Sequence, residues 1–286
     1  MMSGMLERRT RHVGGFSWGE DDPLVQTAPA GPAWKNSHWS GRLERQHLSG
    51  AVLRSRARRR CVCNLYSMTT NQQAIRDLAK AMRDVTGNLP SLPGIFPDQR
   101  APIVRTGADK IRELAPARWG MPSPAFALQG KKVDRGVTNV RNTDSPHWRR
   151  WLAPASRCLV PFTSFSESAR GPDGKSLPVW FALDQGRPLA FFAGIWTGWT
   201  CTRKVAEGEV TCDLFGFLTT EPNLEVAAVH PKAMPVILTA ADEVEAWLQA
   251  PWPEACSLQR PLPDGSLRIV ARGEKEDPPA RSLMLV

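Results

Sequence analysis

Short apolar runs recur along the chain after residue 61, and Gly, Pro and charged residues separate them. Runs of this length predict β-strands rather than helices, which need longer periodic stretches. The predicted strands are residues 62–66, 103–105, 158–162, 179–183, 189–196, 214–219, 235–238 and 267–271. With two or three helices between them, they indicate an α+β fold: one β-rich domain with a curved or barrel-like, mainly antiparallel sheet and a few flanking helices.

Two polar stretches interrupt this series of strands. Residues 163–168 are rich in Ser and predict a turn that presents Glu167. Residues 197–208 predict a solvated hairpin excursion between two strands. A turn places a side chain at the surface, so the pattern alone makes Glu167 an exposed residue.

A helical period follows the first predicted strand. Thr69 and Thr70 are candidate N-caps, and Gly87 is the predicted stop after a helix that extends to Val85. The inward face of this predicted helix is Ile75, Leu78, Ala79, Met82 and Val85. These residues predict core packing and carry no chemistry.

A second helix is predicted after Thr239, its N-cap. Asp242 is the weak capping-box partner, and Pro251 ends the helix. The residues predicted to point inward are Val244, Trp247 and Leu248.

Basic and aromatic residues alternate in residues 145–152. This pattern is typical of a surface for single-stranded nucleic acid, where cations follow phosphates and rings stack on bases. An amphipathic helix with Trp148, Trp151 and Leu152 inside explains the aromatic residues equally well. In either case Arg149 and Arg150 remain on the solvent side.

Residues 1–61 have no strand or helix period and predict a disordered leader. They contain eleven Lys and Arg residues against five acidic residues, so six of the nine net positive charges of the 286-residue chain lie there. The high isoelectric point is therefore poor evidence for nucleic-acid binding by the domain. The basic run at residues 54–60 leaves DNA binding open, and the Arg-rich composition leaves an organelle transit peptide open.

The six cysteines form no C-x-x-C pair and have no metal-ligand spacing with His147 or His230. A disulfide framework and a zinc site are therefore not expected, and no cofactor is predicted. No apolar run reaches the roughly 18 residues of a membrane span. Reduced thiols fit the cytosol, so we expect a cytoplasmic protein without membrane contact.

Several short motifs follow one another in a fixed order after residue 62. Together they resemble the SOS-response-associated peptidase (SRAP) family, the abasic-site-processing proteins that link covalently to abasic sites in single-stranded DNA. The likeness extends to about Pro235. The motifs are Val62-Cys63-Asn64-Leu65-Tyr66, Arg118-Trp119-Gly120, Thr138-Asn139-Val140-Arg141, Phe165-Ser166-Glu167, Leu218-Thr219-Thr220 and His230-Pro231-Lys232-Ala233-Met234-Pro235.

Members of this family open with Met-Cys and use the Cys as their first residue. Val62 occupies the Met position here, and a GUG codon encodes Val internally but Met at a bacterial start. Our hypothesis is that residues 1–61 are a mis-assigned gene start and that residues 62–286 form the SRAP-like domain. Self-cleavage of a leader before Cys63 is the alternative, and it gives the same free terminus.

A free terminus at Cys63 changes what this residue does chemically. An α-amine with a pKa of about 8 is partly neutral at pH 7 and attacks aldehydes, whereas an amide nitrogen is delocalised and does not. The thiol beside the amine then closes the imine into a stable five-membered thiazolidine. An internal Cys63 offers only a thiol, whose aldehyde adducts reverse readily.

The resemblance implies a catalytic site of Cys63, Asn139, Glu167 and His230. His230 is expected to protonate the sugar ring oxygen, Glu167 to act as general acid and base, and Asn139 to orient the amine through its amide oxygen. The sequence does not itself bring the four residues together. The resemblance also implies a DNA-binding set of Trp119, Arg141, Arg149, Arg150 and Lys232.

Within this set the expectations differ from residue to residue. Trp119 either stacks on an unpaired base or packs in the core, and Arg141 is expected to clamp a phosphate. Lys232 stands where the family has Arg, so a compact ammonium group replaces a guanidinium group that could bind a phosphate through two hydrogen bonds. Two other departures are Asn64-Leu65, where the family has Gly-Arg, and Ser168, where the family has Trp.

The function expected first is that of an abasic-site sensor that crosslinks to single-stranded DNA and shields the lesion. The partner is then single-stranded DNA with abasic sites, and the protein is expected to be a monomer. The alternatives are a thiol peptidase that removes its own leader before Cys63, and a single-stranded nucleic-acid binding module without covalent chemistry.

Overall fold

Strands dominate the part of the chain that the computed structural model describes, residues 63–171 and 173–277. The predictions for residues 1–61 and for Val62 lie outside the described residues. The strands are Leu65–Met68 (β1), Arg83–Asp84 (β2), Leu92–Ile95 (β3), Arg100–Thr106 (β4), Arg112–Trp119 (β5), Asn139–Val140 (β6), Arg157–Phe162 (β7), Ser164–Arg170 (β8), Ser176–Ala182 (β9), Ala190–Thr202 (β10), Glu209–Thr220 (β11), Met234–Pro235 (β12), Ile237–Leu238 (β13) and Arg268–Arg272 (β14).

Five of these strands close into a barrel. The order is β11-β10-β7-β4-β5, and β5 returns to β11 through a parallel pairing of Arg118 with Leu214. The other four neighbouring pairs are antiparallel. Closure removes the free edges that an open sheet leaves. The prediction of a β-rich α+β domain with a barrel-like, mainly antiparallel sheet is confirmed.

A second sheet of five antiparallel strands has the order β14-β9-β8-β1-β3. In it β1 lies between β8 and β3, with Leu65 opposite Ser166 and Tyr66 opposite Ile95. Glu167 lies opposite Val179 on the neighbouring strand β9. This sheet therefore carries the residues that follow Cys63 beside the strand that carries Glu167.

Aromatic rings fill the core. Tyr66 of the second sheet meets Trp119, Phe192 and Phe217 of the barrel edge-on, with ring centroids 5.1, 5.7 and 6.1 Å apart. Edge-to-face pairs of this kind add to the free energy of burying apolar surface. The rings thus join the barrel to the second sheet at Tyr66.

The first helix is shorter than its sequence predicts. It runs over Gln72–Ala79 (α1), begins at Asn71, whose side chain accepts the Ala74 N–H at 2.8 Å, and ends at Lys80 in the left-handed region. Ile75 and Ala79 are buried as predicted. The continuation to Val85 is wrong, because the chain turns into β2, which pairs with β5; the predicted inward residues Leu78, Met82 and Val85 are exposed.

The predicted C-terminal helix is Ala241–Gln249 (α5), and its inward residues Val244, Trp247 and Leu248 are buried. Its cap differs from the prediction: Glu243, not Asp242, accepts the backbone N–H groups of Thr239 and Ala240. At its other end, the buried Arg157 of β7 donates to the carbonyl oxygens of Trp247 and Ala250 at 2.8 and 2.7 Å. A cation at a helix C-terminus is favourable, so it fixes α5 to the barrel.

The remaining helices are single turns. The hairpin predicted at residues 197–208 is present and mostly exposed: it extends β10 and turns into β11, with Thr202 opposite Glu209. No helix in the described part of the chain is long and apolar enough to cross a membrane. The short helices are Ala125–Leu128 (α2), Pro146–Arg149 (α3), Leu224–Ala227 (α4) and Trp252–Ala255 (α6), with 3-10 turns at Pro154–Ser156 and Cys256–Leu258.

Lys80→Gly should stabilise the protein. Lys80 has φ 53° and ψ 42°, a conformation that costs a side-chain-bearing residue more than Gly. Gly relieves this strain but also increases the entropy of the unfolded chain, which offsets part of the gain. We therefore expect the free energy of unfolding, measured by urea denaturation, to rise by about 0.5 kcal/mol. Lys80→Ala is the control, since it also removes the 3.8 Å ion pair with Glu245 but keeps the strain. Equal stability of the two variants would contradict the prediction.

Candidate functional site around Cys63

Cys63 is buried just before β1, and its backbone nitrogen has one side-chain partner. The Cys63 N–H donates to Oε1 of Glu167 at 2.9 Å, a contact between residues 104 positions apart in the chain. The Cys63 thiol lies 3.6 Å from the Leu65 carbonyl oxygen. The nitrogen, rather than the sulfur, therefore faces the ionisable group of the site.

Glu167 reaches Cys63 from the middle of β8, so the predicted turn over residues 163–168 is wrong. Glu167 is 2% exposed. Burial raises the pKa of Glu167 to about 8, against the opposing effect of the Cys63 N–H. At neutral pH, Glu167 is thus mostly a protonated acid with a proton to give.

His230 lies on the far side of the carboxyl group. It follows α4, whose N-cap Asn223 accepts the Val226 N–H, and its own backbone N–H donates to Val226 O at 2.7 Å. Its Nδ1 is 3.6 Å from Glu167 Oε2 and 3.3 Å from Ala233 O. Its Nε2 is buried and has no hydrogen-bond partner in the described part of the chain. His230 therefore has one nitrogen held and one available to a ligand.

Asn139 holds the other side of Cys63. It is on β6, which pairs in parallel with β11, and its Nδ2 donates to the Cys63 carbonyl oxygen at 3.0 Å and to Thr138 Oγ1 at 2.9 Å. The predicted contact used the Asn139 amide oxygen and the Cys63 amine. The described contact instead joins the amide nitrogen to the Cys63 carbonyl, so Asn139 fixes the residue from its C-terminal side.

The structure thus brings Cys63, Asn139, Glu167 and His230 into one cluster. Burial, and then the charge of Glu167, raise the pKa of the Cys63 thiol well above its ordinary value. A thiol in this environment stays protonated at neutral pH and is a weak nucleophile. The described residues contain no group of three or more His, Cys, Asp or Glu side chains that could hold a metal ion.

Trp119 is not available for stacking on a base. Its ring is completely buried, lies against Phe215 and Phe217 with centroids 6.3 and 5.3 Å away, and its Nε1 donates to Thr138 O at 3.2 Å. The expectation that Trp119 stacks on a base is therefore wrong. Trp119 packs in the core, which was the alternative expectation. Through Thr138, Trp119 supports the segment that carries Asn139.

Arg141 is already engaged with residues on both sides of α4 in the chain. Its Nη1 donates to Thr220 O at 2.7 Å and to Lys232 O at 3.1 Å, and its Nη2 lies 3.3 Å from Glu221 Oε2. Both Nη atoms of Arg141 already donate to protein oxygen atoms. The arrangement in which Arg141 would bind a phosphate through two hydrogen bonds is therefore not preformed. Lys232 is exposed and has no ion pair among the described residues.

Arg149 and Arg150 are exposed, as both interpretations of residues 145–152 predict. Trp148, Trp151 and Leu152 are buried beside the single turn α3. The structure does not bring these two arginines into contact with the cluster around Cys63.

Thr138 and Asn64 lie in motifs that the sequence analysis quoted, but it predicted no contact for either residue. The Thr138 hydroxyl donates to Asn64 Oδ1 at 3.1 Å, and the same hydroxyl accepts the Asn139 Nδ2. A hydroxyl residue directly before the predicted Asn139 was the only available signal. Thr138 and Asn64 thus connect the second sheet to β6 at the site.

Glu167→Gln should make the chain more stable when the Cys63 nitrogen is an amide, and the gain should grow with pH; Cys63→Ala, which lacks the thiol that could release the preceding residues, is the parent protein for this comparison. The folded pKa of about 8 lies above the ordinary value of 4.5, so the folded state loses stability as pH rises between these values. Urea denaturation should show no difference from the parent at pH 4 and a gain of roughly 2 to 4 kcal/mol at pH 8.5. The exposed Glu254→Gln is the control, and a gain independent of pH would refute the prediction.

Solved structures with this fold include the following three. A protein from Bordetella bronchiseptica is 23% identical with a TM-score of 0.55, and the match covers 74% of this chain and 98% of that chain. A protein from Bacteroides thetaiotaomicron is 23% identical with a TM-score of 0.54 over 72% of this chain and 90% of its own. A phage-related protein from B. bronchiseptica is 18% identical with a TM-score of 0.54, over 72% and 92%.

At these identities the three structures show the fold alone. No curated protein matches the chain. The family model described as SOS response associated peptidase matches residues 62–271, which is most of the chain and starts one residue before Cys63. The protein belongs to the SOS response associated peptidase (SRAP) family.

Proposed function

We propose that the protein, in a form whose first residue is Cys63, captures abasic sites in single-stranded DNA through a covalent bond. The observation that carries this proposal is the 2.9 Å hydrogen bond between the Cys63 nitrogen and the buried Glu167 carboxyl group. At this distance Glu167 can take a proton from an α-amine and return one to the oxygen that the amine displaces. Membership of the SOS response associated peptidase family supports a role in the response to DNA damage.

The first step opens the sugar. An abasic site is mostly a closed hemiacetal, and its aldehyde forms when the ring oxygen gains a proton and the anomeric hydroxyl loses one. His230 is suited to give that proton when both ring nitrogens are protonated: Nδ1–H keeps the hydrogen bond to Ala233 O, and Nε2–H, which has no partner among the described residues, is the donor. The proton that the anomeric hydroxyl loses passes to water.

The second step joins protein and DNA. The neutral amine of Cys63 attacks the aldehyde carbon, a C–N bond forms, and Glu167 takes a proton from the nitrogen. Glu167 then protonates the hydroxyl of the carbinolamine, which leaves as water and gives an imine. General acid and base catalysis of this kind typically contributes a factor of about 10² to 10⁴ in rate.

The third step makes the product stable. The Cys63 sulfur adds to the imine carbon, a C–S bond forms, and the thiol proton passes to the nitrogen, closing a five-membered thiazolidine. The raised pKa of the thiol keeps it protonated until the imine is present, so the amine reacts first. The lesion is then shielded by the bound protein.

A second function, removal of the residues before Cys63, follows from the same contact. In the 286-residue chain the nitrogen held by Glu167 belongs to the peptide bond between Val62 and Cys63. The Cys63 thiol can take the Val62 acyl group, with Glu167 protonating the departing nitrogen, and water then hydrolyses the thioester. This cleavage would supply the free amine. A peptidase for other chains is disfavoured, because Cys63 is 1% exposed and the peptide bond of another chain would have to reach it, whereas Val62 is already bonded to Cys63.

The crosslink gives the direct test of the covalent mechanism. Protein beginning at Cys63, incubated with single-stranded DNA that contains one abasic site, should give a slower gel band that survives denaturation. Glu167→Gln should slow its formation by a factor of about 10² to 10⁴. Cys63→Ala keeps the amine but has no sulfur, so its band should appear only after borohydride reduces the imine.

One added Gly before Cys63 is the matched control, because it moves the amine away from the thiol and from Glu167. It should abolish the stable band. Equal crosslinking by the extended protein would show that the Cys63 amine is not the nucleophile. Binding to the DNA without any covalent band would favour the non-covalent alternative.

Self-cleavage is tested by the mass of the purified protein after expression of the 286-residue chain. The expected mass is that of residues 63–286, and Cys63→Ala should retain the preceding residues because it has no nucleophile. Glu167→Gln should retain them in large part, because it has no proton to give. Loss of the segment from Cys63→Ala as well would assign the cleavage to another protease or to translation from Val62.

A further inference from the structure

Asp277 is a buried carboxylate that the proposed reaction does not use. It lies beyond residues 62–271, the part of the chain that matches the family model, and its side chain is 1% exposed. Its Oδ2 accepts the Ser164 hydroxyl at 2.8 Å and lies 3.3 Å from Ser67 Oγ. The Arg187 Nε donates to both carboxylate oxygens at 2.9 Å. Because a carboxylate removed from water is costly without partners, these contacts are what allow Asp277 to be buried here.

The two serines face each other on neighbouring strands. Ser67 of β1 is opposite Ser164 of β8, and their Oγ atoms are 2.7 Å apart. Each hydroxyl has one proton, so Ser164 donates to Asp277 while Ser67 donates to Ser164. Thr163 extends the link, because its N–H donates to Ser67 O at 2.8 Å and its Oγ1 is 3.0 Å from Ser67 Oγ. Asp277 therefore ends a chain of hydrogen bonds that crosses the β1–β8 pair.

Asp277 is held in place by the segment that carries it. Residues 273–277 cross the second sheet, where the Gly273 N–H donates to Pro178 O at 2.8 Å and the Asp277 N–H donates to Pro93 O at 2.8 Å. Pro178 is on β9, which flanks β8, and Pro93 is on β3, which flanks β1. The carboxylate thus reaches β1 and β8 from a segment that is anchored on both flanking strands.

The β1–β8 pair is short. It has three pairs of opposite residues, with Leu65 opposite Ser166 at one end and Ser67 opposite Ser164 at the other. On its other side β1 pairs with β3, where the register shifts after Tyr66. Backbone pairing alone therefore gives β1 little protection against a change of register.

The register of this pair decides whether the candidate site forms. Cys63 lies two residues before β1 begins, Glu167 is on β8, and the 2.9 Å hydrogen bond joins them. A slip of one residue moves a strand by about 3.3 Å and turns each side chain to the other face. Such a slip would separate the Cys63 nitrogen from Glu167. A side-chain contact at Ser67 and Ser164 opposes the slip without occupying the space around Cys63.

We propose that Asp277 is a positioning residue of the Cys63 site: it fixes the register of β1 against β8 through Ser67 and Ser164, and so holds the Cys63 nitrogen at Glu167. In the described part of the chain no hydrogen bond joins Asp277 to Cys63 or Glu167, so Asp277 acts through the strands. The effect on the reaction rests on the proposed function, whereas the effect on the strands does not.

Crosslinking kinetics test the effect on the reaction. Protein beginning at Cys63 is mixed with single-stranded DNA that contains one abasic site, and the rate constant at saturating DNA and the half-saturating DNA concentration are measured. Asp277→Ala should lower the rate constant about 10- to 100-fold, because the amine loses its alignment with Glu167. The half-saturating concentration should stay within about twofold, since the change affects positioning and not binding.

Glu113→Ala is the matched control. Glu113 is a buried carboxylate of β5, in the barrel rather than the second sheet, and it accepts hydrogen bonds from Arg83 and Arg105. Its replacement removes the same kind of buried ion pair, and the rate constant of the folded protein should not change. If Glu113→Ala slows the reaction as much as Asp277→Ala, a general loss of stability explains both results and the proposal is overturned.

A double-mutant cycle separates positioning from a purely structural role. Glu167→Gln should slow the reaction by a smaller factor in the Asp277→Ala background than alone, because Glu167 is already displaced there. In the Glu113→Ala background Glu167→Gln should keep its full effect. Effects of Asp277→Ala and Glu167→Gln that simply multiply would refute the proposal, since the two residues would then act independently.

Replacing both Ser67 and Ser164 by Ala gives a second variant, which is used if Asp277→Ala does not fold. It removes the hydroxyls and keeps the ion pair between Asp277 and Arg187. The rate constant should again fall while the half-saturating DNA concentration stays the same. An unchanged rate constant in this variant would overturn the proposal, because the hydroxyls would not transmit the effect of Asp277.

Hydrogen exchange tests the strands independently of the reaction. In the 286-residue chain with Cys63→Ala, mass spectrometry follows the backbone N–H groups of residues 63–68, 164–170 and 112–119. Loss of the Ser67 and Ser164 hydroxyls should speed exchange at least about tenfold in the first two segments, because their hydrogen bonds to a charged group are lost. Residues 112–119 of β5 should not change.

The two experiments fail separately. Unchanged exchange in both segments would overturn the role assigned to Asp277, whatever the crosslink does. If the unchanged protein forms no crosslink but exchange rises as expected, the covalent function is rejected and Asp277 still fixes the register of β1 against β8.

Discussion

The structure is organised around one hydrogen bond, from the Cys63 nitrogen to a carboxyl group that the sheet has removed from water. While the Cys63 nitrogen is an amide, it gives Glu167 one neutral hydrogen-bond donor. This donor does not offset the effect of burial, and the pKa of Glu167 rises to about 8. An α-ammonium in the same place would bring a full charge within 2.9 Å of Oε1 and favour the ionised carboxylate. Glu167 is therefore mostly protonated at neutral pH beside an amide, whereas an α-ammonium would favour its ionised form.

The fold holds this bond by joining two sheets at Cys63. The five-stranded sheet places β1 beside β8, which brings Cys63 to Glu167, and the barrel carries β6 on β11, which brings Asn139 to the Cys63 carbonyl. Trp119 lies between them, fully buried, with its Nε1 on Thr138 O. Its contribution to the site is thus rigidity, and a residue of this kind is easily mistaken for a ligand contact when only its position in a motif is known.

Strands with a continuous apolar run, such as β7, β10 and β11, were predictable because such runs are local properties of the chain. The errors arose where contacts with distant segments decide the structure. Met82 and Val85 fit the period of α1, but the chain leaves the helix at Lys80 to pair with β5. The Ser-rich residues around Glu167 resemble a turn until β1 and β9 pair with them from both sides. The cluster depends on contacts between residues about 100 positions apart, which spacing does not encode.

The departures from the family pattern fall outside the atoms that contact Cys63 nitrogen. Asn64 accepts the Thr138 hydroxyl, Ser168 is exposed with its hydroxyl 2.6 Å from Ser176 Oγ, and Lys232 offers its carbonyl to Arg141. Each change alters a neighbour of the site and leaves Glu167 in place. The proposed capture of an aldehyde needs only the amine, the thiol and the proton carriers, so none of these three changes removes a group that the proposal requires.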